Sequence, residues 1–254
     1  MDATVDVAPP AEATEWDLRC DLAAVFRVCA REGMNEQIGG HNSMMLPDDG
    51  SGEQRFLINP RGLHWKEIRA SDLLTCNLRG EVLQGDGELR RVAFYIHARI
   101  HLMHPAARCV LHTHPRFLTA LSLIDKGRMA FAHQNEMILA ERIAYDDDFG
   151  GIVLDEEEGD RIAGVLGDRT ILVMASHGVS VVGPTIHDAF DELYMAERTC
   201  MYQMTAMSTG LPLRQMKPEF RKTHRGPWSD VFDARLHLDA WRRILDREEP
   251  DYAS

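Results

Sequence analysis

The chain contains no apolar run near the roughly 18 residues needed to cross a bilayer, so no membrane-spanning helix is expected. Its five cysteines, Cys20, Cys29, Cys76, Cys109 and Cys200, are widely spaced, odd in number and free of any CxxC pair. That pattern argues against a disulfide framework or a cysteine-based zinc knuckle and predicts buried, reduced thiols. Positive charge is also scarce: 28 Lys and Arg face 40 Asp and Glu, for a formal net charge of −12. A general basic surface for nucleic acid or anionic membrane is therefore not expected, although a local arginine could still meet an anionic substrate. The opening stretch, MDATVDVAPPAEATEWD, has neither a basic n-region nor an apolar h-region, so no signal peptide is expected and the cytoplasm is the expected location. No internal repeat and no low-complexity block is present.

What is present suffices for a packed domain: 254 residues, 44% hydrophobic and 27% charged. Residues 1–14, with paired prolines and few large apolar groups, read as a flexible leader. Leu18, Leu22, Val25, Phe26 and Cys29 recur at helical spacing and predict an amphipathic helix over 15–32, closed by Gly33. Residues 39–46, a polar turn at 47–52 and Phe56-Leu57-Ile58 predict a hairpin, followed by the turn Asn59-Pro60-Arg61-Gly62. A second hairpin is predicted from 73–78 and 81–83 around Arg79-Gly80. Helices are predicted at 95–103, 117–123 and 188–209, the last closed by Gly210 and Pro212. Short buried strands are predicted at 109–114 and 171–174. The acidic run at 155–158 reads as a solvated helix start. Residues 216–254, charged and carrying Trp228 and Trp241, form a tail expected to pack on the domain or on a neighbouring subunit.

Alternate residues of a strand face the same side, so His112 and His114 present two imidazoles together while Thr113 faces away. His177, at the end of the second buried strand and before Gly178, can supply a third. Polar side chains at the ends of apolar strands need a reason. Three histidines on one divalent ion leave an open coordination position, as a catalytic site requires.

At these residues the chain resembles the class II aldolase/adducin family. The resemblance is carried by GHNSMML (40–46), FLINPRGL (56–63), CVLHTHP (109–115), AYDDDFGGIVLDEEEG (144–159) and ASHGVSVVG (175–183), in order. It implies a class II aldolase/adducin-like domain over 15–215, of α/β class: a three-layer αβα fold around a central, mostly antiparallel sheet. It further implies a homotetramer with active sites near subunit interfaces. The family's metal-ligand motif carries over to His112, His114 and His177. Sugar-phosphate aldolases of the family place a catalytic Glu nineteen residues before the first ligand, in a Ser-Ser-Glu segment; here that segment is Arg91-Val92-Ala93. The local sequence VAFYIHARIH resembles the adducin-type branch instead. Positions that contact phosphate through Asn and Thr in the aldolases are here His41 and Arg61, and Arg61 could pair with a carboxylate.

The expectation is a divalent-metal-dependent carbon–carbon lyase, either an aldehyde-lyase or a carboxy-lyase. Its substrate would be a small hydroxy or keto acid or an aldehyde, and its metal zinc first, with manganese or iron as alternatives. Decarboxylation needs a final protonation but no base to begin, so it tolerates the loss of the Glu better than aldol cleavage does. Proton-transfer candidates are His41, His97, Glu136 and Tyr145, and substrate-binding candidates are Gly40, His41, Arg61 and Gly62. The competing expectations are a non-haem iron oxygenase on the same fold and a non-catalytic scaffold resembling the adducin head.

Overall fold

A computed structural model describes residues 13–139, 141–217, 219–220 and 233–254. The predicted leader lies almost wholly outside them, as does Trp228 in the tail. Eight strands form one sheet in the order β4-β3-β2-β1-β5-β8-β7-β6. They are β1 (His41–Met45), β2 (Arg55–Ile58), β3 (Leu74–Asn77), β4 (Val82–Gln84), β5 (Cys109–Thr113), β6 (Ile143–Asp146), β7 (Ile171–Met174) and β8 (Val179–Gly183). Every neighbouring pair is antiparallel except β6 with β7, which is parallel. The helices are α1 (Glu15–Arg31), α2 (Arg91–Met103), α3 (Arg116–Ser122), α4 (Glu136–Leu139), α5 (Glu156–Leu166), α6 (Ile186–Met207) and α7 (Ala234–Glu248).

The strands alternate between two cores. Cys109 and Leu111 of β5, Ile171 and Val173 of β7, and Val179 and Val181 of β8 pack with α1, α3, α6 and α7. Val110, Leu172, Met174 and Val182 pack on the other face with Ile96 and Ile100 of α2 and Ile162, Ala163 and Leu166 of α5. This two-residue alternation gives the three-layer αβα architecture. Helix α1 begins at a capping box in which Thr14 accepts from the Asp17 N–H and Asp17 accepts from the Thr14 N–H. Asp155 caps α5 by accepting from the Glu158 N–H, so the acidic run does open a helix. The carboxy-terminal helix α7 lies on α1 and α6 of its own chain. Leu238, Leu245 and Tyr252 are buried there, and Arg27 reaches Glu249 and Asp251 at 3.1 and 2.8 Å.

Helix α6 spans 186–207 rather than 188–209, and α7 is a helix within what the sequence marked only as a tail; the elements also depart from expectation as follows. Helix α2 starts at Arg91 rather than at residue 95. Strands β6 and β8 were not anticipated, because each is short and flanked by turns and owes its extended state to pairing, β6 with β7 and β8 with β5 and β7. Strand β5 ends at Thr113, so His114 lies just beyond it. The five cysteines are buried and unpaired. Among the described residues no helix is long and apolar enough to cross a membrane.

Candidate metal centre

Antiparallel pairing of β1 with β5 sets His41 opposite His112, on the sheet face covered by α2. Their rings stack with centroids 4.6 Å apart and planes 23° from parallel. His114 follows β5, and His177 stands in the tight β7–β8 turn, where the Met174 N–H donates to the Gly178 carbonyl at 2.9 Å. Ser176 adopts a left-handed φ of 55° in that turn. Gly178 is needed because any Cβ there would strike the His114 ring and come within 2.8 Å of the Thr113 carbonyl. Ligand atoms of His112, His114 and His177 thereby all lie within 4.8 Å of one another. Thr113 faces the opposite side, as the strand period requires, and its hydroxyl donates to the Met34 carbonyl.

The residues present fit a divalent ion. His114 donates through Nδ1 to the Glu36 carboxylate at 2.6 Å, and its Nε2 is buried with no hydrogen-bond partner among the described residues. His112 engages Ser180 Oγ through Nδ1 at 3.1 Å. An outer partner on one ring nitrogen fixes the tautomer and leaves the other nitrogen's lone pair for a metal. Burial pushes the His112 imidazole well below its ordinary range, and burial with the neighbouring His114 brings His177 down to about 4. Neutral imidazoles are the form a metal requires.

His41 makes one hydrogen bond through its ring, Nδ1 to His97 Nε2 at 2.8 Å. His97 Nδ1 meets Ser43 Oγ, which meets His101 Nε2 at 2.8 Å, and His101 Nδ1 reaches the Ala107 carbonyl at 2.8 Å. Burial, followed by the charge of Arg90, lowers His41 to about 3. Arg90 is half-buried and forms no ion pair among the described residues.

The other candidates are placed as follows. Gly40, at φ 80°, packs where a Cβ would touch the Trp65 ring at 2.7 Å and the His112 carbonyl at 3.1 Å. Arg61 is exposed and meets both carboxylate oxygens of Glu88 at 3.2 Å; Gly62 beside it has φ 101°. Buried Glu136 accepts from the Ala132 N–H and from the His133 N–H at 2.7 Å. The Tyr145 hydroxyl accepts from the Met129 N–H at 3.0 Å, and the Arg128 guanidinium lies 4.2 Å from its ring centre. Ala93 is buried in an apolar cluster with Phe56, Ile58, Leu74 and Cys76.

Four contributors escaped the sequence reading: Glu36, Ser43, His101 and Ser180. Two of them had a usable signal. His97 and His101 are four apart on one helix face, and His41 and Ser43 are two apart on one strand face.

The sequence profile described as the class II aldolase and adducin N-terminal domain matches residues 20–204. A Caulobacter vibrioides protein whose name provisionally marks it as a class 2 aldolase is 32% identical over 243 residues, covering 94% of this chain and 93% of its own. Rat alpha-adducin is 32% identical over 200 residues, covering 77% of this chain but 26% of its own length. A crystal structure of an aldolase II superfamily protein from Pseudomonas syringae superposes with a TM-score of 0.85 at 28% identity, covering 96% and 98% of the two chains. With the αβα layers, the mostly antiparallel sheet and a profile match over most of its length, the chain belongs to the class II aldolase/adducin family.

Proposed function

We propose that the protein is a divalent-metal-dependent carbon–carbon lyase, an aldolase or decarboxylase acting on a small hydroxy or keto acid or aldehyde. The observation that carries this reading is the bare, buried Nε2 of His114 within a cluster of three imidazoles, beside the stacked ring of His41. His112, His114 and His177 would hold the ion, and a three-histidine set suits zinc, with manganese or iron as competitors. When bound, such an ion supplies Lewis acidity that stabilises negative charge developing on a substrate oxygen.

The chain's own residues divide the remaining work. His41 takes the proton-transfer role left by the Ala93 position, because its ring borders the triad while Ala93 is enclosed by apolar side chains. Glu136 and Tyr145 form hydrogen bonds to backbone N–H groups and serve as buttresses in this reading. Arg90, positively charged and without a carboxylate partner among the described residues, biases the region toward an anionic substrate. Arg61 can exchange Glu88 for a substrate carboxylate, since an exposed ion pair of this kind contributes only about 0–1 kcal/mol. The backbone at Gly40 and Gly62 completes the substrate wall. A cytoplasmic homotetramer with sites at subunit interfaces is part of the same proposal.

Metal analysis after reconstitution with zinc, manganese and iron, with His112→Ala as control, tests the centre. Product analysis over hydroxy and keto acids tests the reaction, with aldehyde or CO₂ expected from the wild type and neither from His177→Ala. No bound metal in the wild type would end the lyase reading and favour a non-catalytic role like that of the adducin head. Oxygen consumption with iron and none with zinc would instead favour an oxygenase.

A further inference from the structure

We infer that the buried chain Ala107 carbonyl, His101, Ser43, His97 fixes His41 in a single tautomer, with its proton on Nδ1 and its lone pair on Nε2. A carbonyl oxygen has no proton, so His101 Nδ1 donates to it across 2.8 Å. In a neutral imidazole Nε2 is then bare, and Ser43 must donate its hydroxyl proton to it across 2.8 Å. That spends the only proton of the hydroxyl, so the contact between Ser43 Oγ and His97 Nδ1 is made by a proton on His97. His97 Nε2 is left bare in turn, and the 2.8 Å contact with His41 is made by the proton on His41 Nδ1. His41 Nε2 is therefore an acceptor, on a ring stacked 4.6 Å from that of His112.

The premise is that the rings are neutral. His41, Ser43, His97 and His101 are all buried, and among the described residues no carboxylate hydrogen-bonds to His97, His101 or Ser43. Burial accordingly holds His97 well below the ordinary histidine range and His101 at about 4. A single protonation of His101 would reverse every donor from Ser43 to His41, so a neutral interior is what gives the lock its direction.

The lock stands on hydrogen bonding among neutral, buried rings; its chemical consequence rests on the lyase reading. A bare Nε2 can take a proton from a substrate hydroxyl. The carbon–carbon bond then breaks with its electron pair passing into the enolate product, and the same proton returns from Nε2 to the carbanion carbon. No further reactant is needed. His97, Ser43 and His101 are positioning residues in this scheme.

The test is a ¹⁵N spectrum of histidine-labelled wild-type protein without substrate, with His41 and His97 signals assigned by single substitutions. Protonated Nδ1 and bare Nε2 are expected at His41, His97 and His101; a protonated Nε2 at His41 or His97 overturns the lock. Ser43→Ala should leave His101 unchanged, scramble the tautomers of His97 and His41, and leave zinc binding within about twofold. Once a substrate is known, kcat should fall about tenfold at near-constant KM, with recovery in Ser43→Thr. Tautomers unchanged in Ser43→Ala would also overturn the lock. The wild-type spectrum decides even if the variant does not fold. The expected tautomers with no product from any hydroxy or keto acid would remove the lyase reading and leave the lock intact.

Discussion

Two groups of three histidines meet at the stacked rings of His41 and His112, and they are built for opposite ends. In the group formed by His41, His97 and His101, neighbouring nitrogens face one another directly or through Ser43, and the row ends on a backbone carbonyl. In the group formed by His112, His114 and His177, partners lie on the outer side of two rings, Ser180 and Glu36, while a buried nitrogen of His114 has no hydrogen-bond partner among the described residues. Burial is similar at His97 and His112, so burial does not distinguish them. The partners do. A closed row of donors and acceptors is a positioning device, whereas converging bare nitrogens are a demand for a cation.

The sharpest way to break this contrast is to remove a member of the open group. His112→Ala should lower zinc affinity by more than about 100-fold and abolish lyase turnover, since losing a ligand costs more than losing an outer partner. Calorimetry and metal content check it. Substitutions in the closed group should spare metal binding.

Acid should unmake the closed group next. The folded-state value of His101, at about 4, lies below the unfolded value near 6.5, so the unfolded chain binds more protons between those limits. The stability gained from the neutral ring is fully present above about pH 6.5 and is lost as pH falls toward 4. For this residue alone the loss is about 3 kcal/mol. Urea unfolding of metal-free protein across that range measures it, and His101→Phe should flatten the profile.

A smaller effect is expected from an outer partner of the open group. Glu36→Gln keeps an acceptor but removes the charge behind His114, and zinc affinity should fall about 10-fold to 100-fold with stability little changed. The smallest change lies at the rim. Arg61→Ala should raise KM for a carboxylate substrate about threefold to tenfold, with unfolding free energy within about 0.5 kcal/mol of wild type.

Much of this was legible before folding. Helix α1 followed from the spacing of Leu18, Leu22, Phe26 and Cys29, and both hairpins followed from their turn residues. The three candidate ligands followed from an alternating pair and a glycine turn. Strands β6 and β8 did not, because four or five residues between turns carry too little pattern, and their extended state depends on pairing with β7 and, for β8, with β5. The acid–base candidates could not be ranked for the same kind of reason. His41, Glu136 and Tyr145 look alike as isolated polar residues, and only packing shows one ring against the triad and two side chains on backbone N–H groups.

The sequence by itself therefore determined what acts locally: the elements with strong periodicity, the tight turn at Gly178, and the residue types able to bind a metal. The tertiary structure decided what depends on pairing across long separations. The register of β1 against β5 brought His41 beside His112, and α2 laid His97 and His101 over the strand that carries Ser43. A lone pair's direction is set by its hydrogen-bond partner, and here those partners lie more than fifty residues apart in the chain.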